Sequence, residues 1–178
     1  YIKNSKTSLN YSSGGIGSSA HLSAELFKSL ANVPLVHIPY RGATPAVQAV
    51  LSGEVVTMIG NLPPWLSQIK SGKAKALAVT TKERVPELPD VPTLAETYPG
   101  FETVAWFGLL APADTPDDII AQVNRQINLA LATPDIQERL NAVSCAPAGG
   151  TSEAFATRIR NDVSRWTKLA QEKNIKAD

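Results

Sequence analysis

Two glycine-containing turns hold the residue types that could do chemistry in this sequence. The first glycine turn (residues 12–19) lies within YSSGGIGSSAH, and the second (residues 39–44) lies within IPYRGATPAVQAVL. Each turn leads from an apolar, strand-like segment into a helical pattern, so each offers the free backbone N–H groups and positive dipole of a helix N-terminus. Glycine lets the backbone approach a ligand closely and adopt a positive φ. These features favour the binding of a small anion.

The first glycine turn has two other interpretations. A nucleotide site is one, but the turn lacks the Gly-Lys-Ser/Thr ending of a Walker loop and departs from the dinucleotide spacing. A tight strand-to-helix connection without any ligand is the other. The second turn favours anion binding, because both turns should lie at the same strand ends of a parallel sheet and face one crevice.

The elements that must position these turns alternate between strand and helix patterns. Short apolar segments predict strands over residues 34–38, 54–60, 75–79 and 104–111. Helix signals occur between and after them: from Ser18 to near Asn32, at Thr44-Pro45, at Pro63-Pro64, at Thr115-Pro116, at Thr133-Pro134 and over about residues 152–172, with a capping-box spacing at Thr93 and Glu96. This alternation predicts an α/β fold with a largely parallel sheet.

Composition narrows the possible partners. The 178 residues carry a net charge of +1, and the basic residues are scattered, which argues against a nucleic-acid partner. The apolar segments are too short for direct insertion in a membrane. Cys145 is the one cysteine, so neither an intramolecular disulfide nor a multi-cysteine metal site is expected, and no cofactor motif is present.

The two histidines bear on whether the protein is an enzyme. Ser18 or Ser19 with His21 could suggest a serine hydrolase, but there is no G-x-S-x-G elbow and no histidine late in the chain. The helical angle of His21 predicts a solvated pair with Glu25. His37 lies within an apolar strand and is interpreted as a satisfied core histidine. We therefore expect no catalytic residues and no enzyme activity.

Six segments together carry a family resemblance that runs nearly end to end. They are YSSGGIGSSAHLSAELF, HIPYRGATPAVQAVLSGEV, NLPPWLSQIKSGKAKALAVT, ERVPELPDVPTLAE, GFETVAWFGLLAPADTP and AGGTSEAFATRIRNDVSRW. In this order they resemble the Bug family, the periplasmic solute-binding receptors of tripartite tricarboxylate transporters.

The resemblance implies a two-lobed, type II periplasmic-binding-protein fold with mainly parallel sheets, flanking helices and a hinge strand. Residues 1–101 would form the second, ligand-binding lobe, and residues 102–178 would form the hinge strand near 104–111 and the C-terminal part of the first lobe. The N-terminal part of that first lobe would precede Tyr1. The implied function is capture of a small carboxylate between the lobes and its transient delivery to membrane transporter subunits. A sensory or partner-signalling receptor of the same fold is the alternative.

The resemblance also implies a set of ligand contacts. All but one of these residues should donate hydrogen bonds, because a carboxylate only accepts. The exception is an aromatic side chain that would line the ligand chamber. Phe107 is that side chain, since Trp106 and Phe107 face opposite ways on a strand and one of them can line the ligand chamber. The absence of aspartates at Val56 and Gly60 favours a plain carboxylate over an amino acid. The predicted donors are Ser13, Gly15 and Ser18 in the first turn, Gly42, Ala43 and Thr44 in the second, and Asn61, which could instead cap the next helix.

Overall fold

A computed structural model describes residues 2–176 of the chain. Its strands are β1 (Leu9–Ser13), β2 (Leu35–Pro39) and β3 (Thr57–Met58). Its α-helices are α1 (Ser19–Ala31), α2 (Ala43–Leu51), α3 (Pro63–Lys70), α4 (Asp117–Leu131), α5 (Pro134–Ala142) and α6 (Ser152–Glu172). Short 3₁₀ helices cover Ile2–Asn4 and Leu94–Glu96.

The three strands form a parallel sheet in the order β2-β1-β3. The register pairs Leu9 with Leu35 at one end of β1 and β2, and Ser13 with Pro39 at the other. Side chains of Leu9, Tyr11 and Leu35 pack with Ala24 of α1 to form the core of this region. The parallel α/β architecture predicted from the alternating pattern is confirmed.

Most helix boundaries follow the local signals in the sequence. α1 begins after Ser18, whose side chain accepts a hydrogen bond from the His21 N–H, and ends at Asn32 in the left-handed conformation. The start of α2 is a correction, because Gly42 and not Thr44 is its N-cap. Pro45 therefore lies in the first turn of α2, where proline is tolerated since those N–H groups lack intrahelical acceptors.

Two predicted strands are absent from the described residues. In segment 75–79, only Val79 forms a bridge, to Thr93, through the Val79 N–H to Pro92 O and the Leu94 N–H to Val79 O. Segment 104–111, the expected hinge strand, has no ladder at all. Both sequences have strand composition, but a strand also needs a neighbouring strand for its hydrogen bonds. No segment within residues 2–176 supplies one.

The capping box expected at Thr93 and Glu96 forms between these two segments. The Thr93 side chain accepts from the Glu96 N–H, and the Glu96 carboxylate accepts from the Thr93 N–H. Arg84 donates to both carboxylate oxygens of Glu96 at 2.9 Å. These contacts with Arg84 lower the pKa of Glu96 to about 2.

Two compact units divide the chain. The first contains residues 2–105 and 166–176 and holds the three-stranded sheet; the second contains residues 106–165. In the second unit, Trp106 donates from Nε1 to Asp162 Oδ2 at 2.6 Å, and its ring meets the edge of Phe155 at 5.2 Å. Trp106 is thereby held against α6.

Candidate functional site

The two glycine turns lie side by side at the carboxyl ends of β1 and β2. The Tyr40 N–H donates to Ser13 O at 2.9 Å, and the Gly42 N–H donates to Gly14 O at 3.2 Å. The turns approach so closely that a Cβ on Gly14 would lie 3.2 Å from both Ala43 N and Gly42 C. The N-termini of α1 and α2 therefore meet at one edge of the sheet, as the sequence predicted.

Four backbone N–H groups at these helix starts have no hydrogen-bond acceptor among residues 2–176. Ala43 and Thr44 form the exposed first turn of α2, where no side chain caps the helix. The N–H groups of Ser19 and Ala20 hold the equivalent places in α1, with no acceptor among residues 2–176. Ser19 and Ala20 were absent from the predicted donors, although their positions directly after the Ser18 cap could have indicated them.

The predicted donors Ser13, Gly15 and Ser18 are hydrogen-bonded within the protein. Ser13 is fully buried, and its Oγ contacts His37 Nε2 at 2.6 Å and Gly15 O at 3.0 Å. The Gly15 N–H donates to the same Oγ at 3.2 Å. The Ser18 Oγ accepts from the His21 N–H at 3.3 Å. These groups hold the turn in shape, and their direct contact with a ligand stays a prediction.

The remaining predicted contacts lie in three places. Gly42 is at the junction of the turns, and its N–H is shared between Gly14 O and Tyr40 O. Asn61 is exposed beyond β3, and the suggestion that it caps α3 is wrong because the N-cap is Leu62 without a side-chain bond. Phe107 belongs to the second compact unit, where its side chain is 87% exposed. Six of the eight predicted residues thus lie in the paired turns.

A layer of polar side chains beneath the first turn was missed by the sequence analysis. Tyr11 donates from its hydroxyl to Glu25 Oε1 at 2.6 Å, and Lys28 Nζ contacts the same oxygen at 2.5 Å. The rings of His21 and His37 stack at 3.9 Å with an angle of 9°. We call these five residues the histidine layer.

The expected solvated position of His21 is wrong, since the residue is only 6% exposed. The reason is Tyr11 on β1, the strand against which α1 packs. Tyr11 is completely buried at the centre of the sheet, and its hydroxyl needs an acceptor there. Glu25 supplies that acceptor, so α1 turns its polar face, with His21, toward the sheet. His37 is satisfied by Ser13, as predicted.

Burial and hydrogen bonding shift the pKa values of the side chains in the histidine layer. Burial lowers the pKa of His21, and burial together with the neighbouring His21 lowers the pKa of His37 to about 4. Burial raises the pKa of Glu25, but hydrogen bonds from Lys28 and Tyr11 outweigh it and leave the value below the ordinary one. Burial and the Glu25 carboxylate raise the pKa of Tyr11. At neutral pH the layer therefore holds two neutral imidazoles above a carboxylate paired with an ammonium.

We expect the free energy of unfolding to fall as the pH is lowered from about 6.5 toward 4. An unfolded histidine takes a proton near pH 6.5, whereas the folded His37 does so only near 4. Between these values the unfolded state binds more protons, so acid favours it. After allowance for solvent screening the loss should be about 1–2 kcal/mol. Urea denaturation at pH 7 and pH 5, with His37→Gln as the less pH-sensitive control, measures it; equal stability at both values would contradict this account.

Neither a metal cluster nor a membrane-spanning helix is present among the described residues. Within residues 2–176 no group of three or more histidine, cysteine, aspartate or glutamate side chains is placed to hold a metal ion. In the same part of the chain, no helix has the length and hydropathy needed to cross a membrane.

Comparison with known proteins decides the family. Residues 1–175 match the model of the tripartite tricarboxylate transporter family receptor, TctC. The chain belongs to this family. A relative of this TctC chain, the UPF0065 protein in the tcbD-tcbE intergenic region of Pseudomonas sp. strain P51, is 40% identical over 96% of the chain and 51% of the relative. A second, from the clcB-clcD intergenic region of Pseudomonas knackmussii, is 40% identical over 87% of the chain and 93% of the relative.

Solved structures show the same fold. A Rhodopseudomonas palustris protein with adipate superposes with a TM-score of 0.87 at 32% identity, over 98% of the TctC chain and 59% of that protein. MatC from the same organism, with bound malate, superposes with a TM-score of 0.80 at 31% identity, over 95% of the TctC chain and 59% of MatC. The likeness to the periplasmic binding protein BugD, with a TM-score of 0.81 at 31% identity, confirms the predicted periplasmic-binding-protein fold. The TctC chain spans about half the length of the first relative and three fifths of each solved structure.

Proposed function

We propose that the protein is a periplasmic solute-binding receptor that captures a small carboxylate at the paired glycine turns. The observation that carries the proposal is the meeting of two helix N-termini whose first N–H groups lack partners among the described residues. The relatives solved with adipate and malate, both dicarboxylates, support this ligand class.

The chemistry at the turns suits a carboxylate. The N–H groups of Ser19, Ala20, Ala43 and Thr44 can only donate, and a carboxylate only accepts. Each such bond to a charged acceptor contributes about 1.5–3 kcal/mol. After ordering costs, a few of them are consistent with roughly micromolar affinity. Neither Val56 nor Gly60 offers a carboxylate for a ligand ammonium, which favours plain carboxylates over amino acids.

The same geometry argues against catalysis. Ser13 Oγ and His37 Nε2 are 2.6 Å apart, the contact expected of a nucleophile and its base. However, Ser13 is completely buried and its hydroxyl also bonds Gly15 O. A substrate could not reach this oxygen without opening the turn. The pair is therefore proposed to be structural, and the protein not to be an enzyme.

The wider setting of the receptor follows from the family. We propose that it works in the periplasm and delivers its ligand to membrane subunits of a tripartite tricarboxylate transporter, as the family description indicates. We also propose that residues 1–101 are the ligand-binding lobe and residues 102–178 belong to the other lobe, with Phe107 facing the ligand. Both turns lie in residues 1–101, which supports the first part of this assignment.

We expect Ser19→Pro to lower adipate affinity about tenfold while leaving the fold intact. Proline at this first helical position deletes one N–H donor, and a bond to a charged acceptor is worth at least a factor of ten. Ser18 already has φ −63° and ψ 158°, the extended conformation required before proline. Calorimetric titration of the chain with adipate, with thermal unfolding as the fold control, measures the effect.

The matched control is Ser19→Ala, which removes the hydroxyl and keeps the N–H. It should bind adipate within about twofold of the native chain, since no direct hydroxyl contact is proposed. Equal affinities for the proline and alanine variants would contradict the role of this N–H. Tighter binding of glutamate than of adipate or succinate would contradict the plain-carboxylate assignment.

A further inference from the structure

The histidine layer lies against the first glycine turn and holds both halves of it. His21 Nδ1 accepts the Gly17 N–H at 3.1 Å. His37 Nε2 contacts Ser13 Oγ at 2.6 Å, and that oxygen is bonded to both the N–H and the carbonyl of Gly15. Gly15 and Gly17 have φ values of 131° and 74°, which glycine adopts freely, and the histidine contacts restrict that freedom.

The direction of these hydrogen bonds fixes the protonation of His21. A backbone N–H can only donate, so the Nδ1 atom that receives the Gly17 N–H must carry no proton. His21 is therefore the neutral tautomer with its proton on Nε2. The imidazolium form has N–H groups on both nitrogens and cannot accept this bond. Protonation of His21 and its contact with Gly17 are mutually exclusive.

Three other polar side chains face the rings of His21 and His37 and affect their protonation. The titratable and charged groups that face the rings are Tyr11 from β1 and Glu25 and Lys28 from α1. The Glu25 carboxylate favours a proton on the rings, but Lys28 Nζ and the Tyr11 hydroxyl bind its Oε1 atom. Lys28 and the facing ring disfavour the proton, and two stacked rings 3.9 Å apart cannot both be charged at low cost.

We propose that His21 is a positioning residue for the anion site: its neutral ring holds the Gly17 N–H, and its protonation releases the first glycine turn and weakens carboxylate binding. The N–H groups of Ser19, the last residue of the turn, and of Ala20, directly after it, move with the turn. Acid is thus a signal for ligand release. The effect on carboxylate binding rests on the proposed function, whereas the effect of His21 protonation on the glycine turn does not.

The test follows the Gly17 amide by NMR in the full 178-residue chain. At pH 7, long-range ¹H–¹⁵N spectra should show an unprotonated His21 Nδ1, and the Gly17 amide should be protected from exchange. On acid titration its protection factor should fall about fivefold or more, with the same midpoint as the His21 ring. A protonated Nδ1 at pH 7, or a Gly17 protection factor that does not follow the His21 titration, would overturn the proposal.

Two variants separate positioning from simple packing. In His21→Asn, the Oδ1 atom takes the place of Nδ1 and can accept from Gly17 without titrating, so protection should persist from pH 7 to pH 5. In His21→Leu the acceptor is gone, so protection should be low at both pH values. If His21→Leu retains native protection, or if His21→Asn keeps the native pH dependence, the proposal fails.

Adipate titrations of the same three proteins test the binding part. Between pH 7 and a pH below the His21 midpoint, the native chain should lose several-fold more adipate affinity than His21→Asn, whose loss reports the protonation of adipate itself, and His21→Leu should bind weakly throughout. A native loss of affinity no larger than that of His21→Asn, with the Gly17 result as expected, would overturn the coupling to the ligand alone. If the native chain binds no carboxylate, the proposed function and the binding part fail together, while the amide measurement still decides the role of His21.

Discussion

Gly14→Val should abolish measurable carboxylate binding while the chain still folds. A Cβ at this position would lie 3.2 Å from Ala43 N and Gly42 C, both of them backbone atoms that cannot rotate away. The branched side chain must therefore push the two glycine turns apart and crowd the Ala43 N–H. Loss of two or more bonds to a charged ligand corresponds to at least about a hundredfold in affinity. Overpacking should also cost about 1–3 kcal/mol of stability.

Gly60→Ala is the matched control, because Gly60 lies at the equivalent strand end after β3. Its added methyl would meet only the Met58 side chain, with Cε at 2.7 Å and Cγ and Sδ at 3.5 Å, and this flexible side chain can move. We expect adipate affinity within a few-fold of native and little change in unfolding temperature. Calorimetry and thermal unfolding of both variants measure the contrast. Adipate binding by Gly14→Val within threefold of the native affinity would contradict the paired-turn site.

Glu25→Leu should be the most destabilising single change in the histidine layer, at about 2–4 kcal/mol. The substitution leaves the buried Tyr11 hydroxyl without an acceptor and Lys28 without its carboxylate. An unsatisfied buried hydroxyl costs about 1–3 kcal/mol, and loss of one partner of a buried ion pair adds to it, reduced here because Lys28 is partly exposed. Urea denaturation at pH 7 gives the value.

Tyr11→Phe in the Glu25→Leu background supplies the control. Removal of both polar partners is far less costly than removal of one, so the double variant should recover about 1 kcal/mol or more relative to Glu25→Leu. Glu25→Gln, which keeps an acceptor for the hydroxyl, should lie between native and Glu25→Leu. Additive losses in the double variant would show that the Tyr11 to Glu25 bond does not stabilise the layer.

Local signals predicted several of the helix ends, because those features depend on neighbouring residues. Ser18 and Asn32 mark the two ends of α1, and residues 152–172 form α6 as the apolar spacing indicated. The meeting of the two glycine turns also followed from the sequence, since parallel strands place their following turns at one edge.

Features that depend on distant partners were not predictable in the same way. Segment 104–111 has strand composition, yet its pairing requires a neighbouring strand that the described residues do not supply. His21 has the spacing of an exposed helix position, yet the Tyr11 hydroxyl beneath α1 draws Glu25, and with it His21, into the interior. The sequence shows the spacing of Glu25 and Lys28 relative to His21. It does not show which face of α1 packs on the sheet.

The decisive measurement is a ¹H–¹⁵N NMR titration of the chain with adipate. The account predicts that the largest amide shift changes occur at Ser19, Ala20, Ala43 and Thr44, the first-turn N–H groups of α1 and α2. The amides of α4 and α5, in the second compact unit, serve as internal controls for general salt effects. Saturable shifts confined to other residues, with these four amides unchanged, would contradict the claim that the paired glycine turns bind the ligand.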